Sequence, residues 1–183
     1  MTGLPFPQTG STLIVGPSQA GKTRLTARAL EAWIDRHGTD GLVVLEFAPE
    51  LEREGRILGG RLDRFATIPD GVWHGVLDAH APRAEGADEA EVVALAKENA
   101  EGSVAILETA PDPNAVFVND ATIPLQHVSV EADKLTGYCD GATCAVLNAF
   151  DSDELGTDDP VSRQERTALS ELRSWADRTV ELD

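Results

Sequence analysis

The stretch STLIVGPSQAGKTRLTARALEAWIDRHG, residues 11–38, constrains the fold more than any other part of the chain. Ser11 to Val15 form a short apolar run with β-branched residues, the pattern of a buried strand. From Lys22 the pattern turns helical. Leu25, Ala29 and Trp33 recur four apart with Leu30 and Ile34 beside them, while Arg24, Arg28, Glu31 and Asp35 lie mostly elsewhere. Gly38 supplies a stop just past the last turn. Between strand and helix stands GPSQAGKT, Gly16 to Thr23. Glycines allow a tight turn in which successive N–H groups point into one concavity, and the positive end of the helix faces the same space. Phosphate oxygens suit such a concavity.

Gly16, Gly21, Lys22 and Thr23 match the pattern Gly, four residues, Gly, Lys, Ser or Thr. With a strand before it and a helix after it, the chain resembles the P-loop NTPases. The resemblance implies a nucleotide-binding set of Gly16, Pro17, Ser18, Gln19, Ala20, Gly21, Lys22, Thr23 and Arg24. It implies that Lys22 reaches the β- and γ-phosphates of ATP or GTP, and that the Thr23 hydroxyl ligates Mg²⁺.

Charge is the second informative feature. The 183 residues carry 32 acids against 15 basic side chains, for a net charge of -17, and the lysines are Lys22, Lys97 and Lys134. Excess acid with few lysines resembles proteins of halophiles, in which concentrated salt screens self-repulsion. A hydrophobic fraction of 42% with clear periodicity argues against an acidic disordered chain. Broad binding to a nucleic-acid backbone is disfavoured by the same charge. The sequence shows no long apolar span and no signal-peptide pattern at its start, so no membrane partner and a cytoplasmic location are expected. Cys139 and Cys144 suggest neither a disulfide framework nor a zinc site, and His74 and His80 lack a close ligand pair.

Further along, Leu42 to Phe47 read as a second buried strand. ELEREGRILGGRLDRF predicts a helix carrying Arg53, Arg56, Arg61 and Arg64, broken at Gly59-Gly60, with the arginines paired to Glu50, Glu52 and Glu54 or facing a second phosphate-bearing substrate. Residues 65–87 fit no regular pattern and suggest a long functional loop with Trp73, His74, His80 and Arg83. DEAEVVALAKENAEG predicts a helix with Val92, Val93, Leu95 and Ala96 inward, followed by a short apolar run SVAILETA.

Ala115 to Val118 predict a strand ending at Asn119-Asp120. In P-loop NTPases an acid after such a strand holds the Mg²⁺ shell, which makes Asp120 the leading candidate, catalytic with Lys22 and metal-binding with Thr23. Glu108 is a competitor and Glu46, in mid-strand, a weaker one. Ala145 to Leu147 predict another core strand, ending at Asn148 with Asp151 beyond. Asn-x-x-Asp resembles the base-reading motif of GTPases, although Ala149 stands where those carry lysine. The deviant-loop ATPases of the MinD and ParA group also carry strand-terminal asparagines, but Pro17 occupies the neighbourhood of their early loop lysine. An ordinary turn accounts for the same residues. Asp159 caps a predicted helix that opens at Pro160 and buries Leu169, Leu172, Trp175 and Ala176, and Thr179 to Leu182 predict a last strand. The polar stretch 151–159 reads as a lid that brings Arg163 or Arg166 to a phosphate, or as a solvated loop.

Alternating strands and helices without a repeat or boundary predict one α/β domain over residues 1–183: a three-layer P-loop NTPase fold, mostly parallel, with helices on both faces. Three functional readings follow. One is a Mg²⁺-dependent ATPase or nucleotide-dependent kinase with a small-molecule phosphoryl acceptor. For the kinase form, the loop, Arg56-Ile57 and the late Val-Asn-Asp resemble adenosylcobinamide kinases. The second is a nucleotide-bound switch that engages a protein partner with little turnover. The third is a degenerate loop kept for structure, disfavoured because a buried unpaired lysine is costly.

Overall fold

The structure, a computed structural model, describes residues 3–53, 56–58 and 60–183. In chain order the elements are β1 (Gly10–Gly16), α1 (Lys22–His37), β2 (Leu42–Glu46), β3 (Leu51–Arg53), β4 (Arg56–Leu58), β5 (Trp73–Val76), α2 (Pro82–Glu85), α3 (Glu89–Thr109), β6 (Ala115–Asn119), α4 (Ala132–Cys139), β7 (Cys144–Phe150), α5 (Pro160–Trp175) and β8 (Arg178–Glu181). Among these described residues six strands form one parallel sheet in the order β5-β2-β6-β7-β1-β8.

The near-continuous apolar runs of β1, β2, β6 and β7 make sense in a sheet covered on both faces. Successive side chains alternate between the faces. Ile14, Val44, Phe117 and Val146 point to the side of α1, where Leu25, Ala29, Leu30 and Trp33 meet them together with Leu62 and Ala66. Leu13, Val15, Val43, Leu45, Val118 and Leu147 point to the other side, against α3, α4 and α5 through Ala100, Leu107, Leu135 and Leu172. The expected three-layer α/β architecture is therefore present. Among the described residues, no helix is long and apolar enough to cross a membrane.

Caps follow the sequence. Asp159 accepts from the Ser162 N–H (3.0 Å) with Pro160 opening α5, Asp88 accepts from the Glu91 N–H (2.8 Å) at the start of α3, and the Gly38 N–H closes α1 on the Ile34 carbonyl (2.8 Å).

Three expectations are corrected. The arginine-rich segment is not a helix: Leu51–Arg53 and Arg56–Leu58 pair as an antiparallel hairpin, and Leu62–Arg64 form a single 3₁₀ turn. Glu54 and Gly59 of that expectation lie outside the described residues. Of the expected charge pairing, the described residues show Arg64 Nε binding Glu50 Oε1 at 2.7 Å. Residues 65–87 hold a sheet strand, β5, and a short helix, α2, rather than one long loop. The run SVAILETA is the second half of α3, which continues through Gly102. A Cβ there would meet Leu77 Cδ1 at 2.7 Å, so this glycine marks close packing and not a helix end.

Candidate functional site

Parallel strands deliver their C-terminal ends to one edge of a sheet, and side chains at those ends converge without being close in sequence. Here Gly16 lies opposite Phe150 and Glu46 opposite Asn119, while Val118 opposite Leu147 sets Asn119 level with Asn148. The loop after β1 turns across this edge. A Cβ on Gly16 would lie 2.6 Å from the Leu182 carbonyl oxygen, so the chain can pass β8 only without a side chain there. Gln19 (φ 62°) and Gly21 (φ 96°) adopt left-handed backbone, and α1 begins at the next residue, Lys22.

Beneath the loop runs a buried hydrogen-bond network. Thr23 Oγ1 donates to Asn119 Oδ1 (3.3 Å), and Asn119 Nδ2 donates to the Gly60 carbonyl (2.7 Å). Asn148 Nδ2 donates to Thr26 Oγ1 (2.9 Å) and to Asn119 Oδ1 (3.0 Å), while its Oδ1 accepts from the Asp120 N–H (2.8 Å). Thr26 Oγ1 in turn donates to the Lys22 carbonyl (2.8 Å). The first turn of α1 is thus tied to the ends of β6 and β7 by side-chain amides and hydroxyls, which restrict position more tightly than apolar packing.

Over this floor opens a cavity of about 370 Å³, lined among others by Ser18, Lys22, Thr23, Asn119, Asp120 and Phe150. Lys22 Nζ donates to the Pro17 carbonyl and lies 6.0 Å from the centre of the Phe150 ring. Burial lowers its pKa, and the charges of Asp120 and Glu154 act against that fall. Asp120, in left-handed backbone (φ 61°), has its carboxyl pushed up to about 7. Burial is the main cause, the Glu165 charge adds to it, and Lys22, Arg83 and a hydrogen bond from Thr122 oppose it. Arg24 is also in the wall, its guanidinium 5.0 Å from the centre of the Phe65 ring.

One loop amide already holds an acid. The Ser18 N–H donates to Glu154 Oε1 at 2.8 Å, so a carboxylate from the 151–159 segment sits where an anionic oxygen could. The same segment is tied back elsewhere: Arg166 pairs with Asp153, and Arg173 Nη2 pairs with Asp151 Oδ2 at 2.6 Å.

The residues singled out from sequence separate accordingly. Ser18, Gln19, Gly21, Lys22, Thr23 and Arg24 line the cavity together with Asp120 and Asn148. Gly16, Pro17 and Ala20 shape the turn. Asn148 and Asp151 are not presented as a base-reading pair. The Asn148 amide is occupied on both its oxygen and its nitrogen by protein groups, and Asp151 lies outside this cavity on Arg173. Glu108 is on the exposed side of α3, 3.8 Å from Lys134, far in role from any strand end. Glu46 does end β2, but its two oxygens accept from the Leu62 N–H (3.1 and 3.0 Å), and burial raises its pKa to about 7 against the opposing effect of that hydrogen bond. Arg163 and Arg166 do not line the cavity either.

Two residues carry more than the sequence indicated. Asn119, not Asp120, makes the direct contact with Thr23; the adjacent Asn-Asp pair was the only signal for it. Arg83 reaches the edge from α2, its guanidinium 5.7 Å from the centre of the Phe150 ring and paired with Glu165 at 2.8 Å. No spacing in sequence relates Arg83 to the glycine loop.

Among the described residues, no group of three His, Cys, Asp or Glu side chains could hold a metal by itself. Thr23 and Asp120 both line the cavity and carry oxygen atoms, the donor type that Mg²⁺ takes together with phosphates and water. His80 Nε2 pairs with Glu98 at 2.8 Å, and Cys139 and Cys144 are buried free thiols whose pKa burial raises, to about 11 for Cys144. In comparisons with known proteins, the chain matches no family model, and no curated protein sequence matches it.

Proposed function

We propose that this chain is a P-loop NTPase that binds ATP with Mg²⁺ in the 370 Å³ cavity and acts as an ATPase or nucleotide-dependent kinase. The observation that carries the reading is the convergence of the Lys22 ammonium, the Thr23 hydroxyl and the Asp120 carboxyl on one cavity under a glycine turn. In this reading the loop amides and Lys22 take the β- and γ-phosphates. A phosphate would also offset the cost of burying Lys22, by favouring its charged form. Thr23 and Asp120 would hold Mg²⁺, whose role is to neutralise charge on the phosphates. ATP is preferred to GTP because Asn148 has no free amide for a base. A cytoplasmic, high-salt setting belongs to the same proposal, from the acidic surface and the scarcity of lysine.

A switch with little turnover is the second reading, and the Glu154–Ser18 contact favours it. A triphosphate that takes the Ser18 amide must displace Glu154, so binding would move the 151–159 segment and change the surface offered to a partner protein.

The test is calorimetric titration of ATP, GTP and their diphosphates with Mg²⁺ in concentrated KCl, with Lys22→Ala as control. Saturable ATP binding that the variant loses supports the reading. Absence of binding by the folded protein overturns it. Steady hydrolysis, or transfer only with an added acceptor, separates enzyme from switch.

A further inference from the structure

The first cavity has two ends, each with a phenyl ring. Phe150 closes β7, Asn119 closes β6, and Ala48, Gly60 and Phe65 follow β2, so the lining crosses three neighbouring strand ends. Strands in a sheet lie about 4.8 Å apart, which makes the crossing on the order of 10 Å. Lys22 belongs to the Phe150 end, its Nζ 6.0 Å from the ring centre. Arg24 belongs to the other, its guanidinium 5.0 Å from the centre of the Phe65 ring.

Phe65 is 40% exposed, and it is the one aromatic residue among the exposed large hydrophobics of the described chain. A lone exposed apolar side chain is ordinary on a surface, but this ring lines the cavity that also holds Lys22 and Thr23. Its backbone is anchored. The Phe65 N–H donates to the Leu62 carbonyl at 2.9 Å, and Leu62 is buried among the α1 residues Leu25, Ala29 and Leu30. Arg24, the planar cation on the ring, has no ion pair among the described residues. The ring therefore already takes a flat partner, and no acid ties that partner down.

Phe150 is more heavily engaged. The Arg83 guanidinium lies 5.7 Å from its centre in addition to Lys22, and Arg83 is held by Glu165 (2.8 Å) and Ser162 Oγ (3.0 Å). Phe150 and Asp120 also border a second cavity, of about 440 Å³, with walls of Pro49, Pro82 and Leu155. Its acids are Asp120, Glu154 and Glu165, and Glu165 also accepts from Thr122 Oγ1 (3.0 Å) and Gln126 Nε2 (2.6 Å). In the first cavity the amides of Asn119 and Asn148 are bonded to protein groups, so neither offers a free edge to a base. What remains at the Phe65 end is a flat apolar face, and aromatic faces hold bases by stacking.

We propose that Phe65 is the stacking platform for the base of the nucleotide, with the triphosphate at the Lys22 end and the ribose between. The inference rests on the nucleotide reading of this cavity and adds to it the direction in which the nucleotide lies. Arg24 gives up the ring to the base and turns toward the phosphates, next to Thr23. Stacking uses a face that every base has, so the platform strengthens ATP and GTP by the same factor.

The experiment titrates ATP, GTP and inorganic tripolyphosphate with Mg²⁺ in concentrated KCl by calorimetry. Phe65→Leu and Phe65→Ala remove the flat ring at an exposed position, Phe65→Tyr keeps it, and Leu155→Trp crowds the second cavity instead. Thermal unfolding checks that each variant is folded, and either ring-deleting variant suffices. Loss of the ring should weaken ATP and GTP about tenfold each and leave tripolyphosphate unaltered, while Phe65→Tyr and Leu155→Trp should bind ATP like the parent. ATP affinity unchanged in the folded ring-deleting variants overturns the inference. So does an equal loss for tripolyphosphate, which would give the ring only a part in shaping the loop, and so does a loss in Leu155→Trp alone, which would put the base in the second cavity. In those three cases ATP still binds and the proposed function stands. No ATP binding by the folded parent sinks both.

Discussion

The two cavities share a wall but are built differently. The first draws nearly half of its lining from one short stretch, residues 18–24, set on a floor of strand ends, Asn119 and Asn148. The second is assembled from short contributions of the glycine loop, α2, the turn after β6, the 151–159 segment and α5. One is cationic with fixed backbone donors, and the other is apolar with an acidic rim. The difference shows how one sheet edge can carry a cavity built on a glycine turn beside one built from scattered segments, with Asp120 and Phe150 lining both.

The comparison breaks most visibly at the floor. Asn148→Leu removes three hydrogen bonds and leaves the Asp120 N–H without its acceptor. It should lower unfolding free energy by roughly 3 kcal/mol in urea titrations, as expected for a buried polar network. A loss under about 1 kcal/mol would mean that packing, not this network, holds the first cavity.

Lys22→Ala comes next. Losing a charge-assisted contact to phosphate should weaken ATP binding about 100-fold, near 2.7 kcal/mol. An unchanged affinity would remove the first cavity's claim to be the anionic side.

Asp120 on the boundary predicts a pH effect. Its folded pKa, about 7, lies above the ordinary value, so the folded state holds the proton more tightly. Its stabilising protonated form is lost as pH rises from about 4 through 7. Asp120→Asn should therefore gain stability relative to the parent between pH 5 and pH 8, by roughly 1–2 kcal/mol, in paired thermal unfolding curves. Mg²⁺-dependent ATP binding should strengthen in the parent as pH rises through 7, and the variant should lack that rise. A flat difference across pH would place the Asp120 charge in solvent.

The smallest effect is at the 151–159 segment. Glu154→Gln weakens the acid's hold on the Ser18 amide, so ATP affinity should rise about threefold, less than 1 kcal/mol. A fall in affinity would instead make Glu154 part of the binding site.

Much of the fold was legible because its signals are local. β1, β2, β6, β7, α1 and α5 each carry their own apolar period, and Asp159-Pro160 and Gly38 mark helix ends within a residue. The misread segments had signals that point two ways. Gly102 looks like a helix stop and is a packing contact, and the alternating charges of residues 50–64 suit a helix surface as well as a hairpin. β5 was hidden because Trp73-His74-Gly75-Val76 has neither an apolar run nor a clean alternation; it is held by its neighbour β2.

For the candidate site, the sequence by itself determined the glycine turn, the lysine and threonine at the head of α1, and an Asn-Asp pair at a strand end. These depend on residue type and on separations of a few positions, which covalent geometry converts directly into a loop and a helix start. Tertiary structure decided that Asn119 rather than Asp120 meets Thr23, that Asn148 is bonded into the floor through Thr26, Asn119 and Asp120, and that Arg83, Gln126 and Glu165 meet beside Asp120. Those relations span from 28 to 122 residues of chain. They arise because the strand order β5-β2-β6-β7-β1-β8 brings separate strand ends to one edge, and the order of strands in a sheet is set by packing of the whole chain.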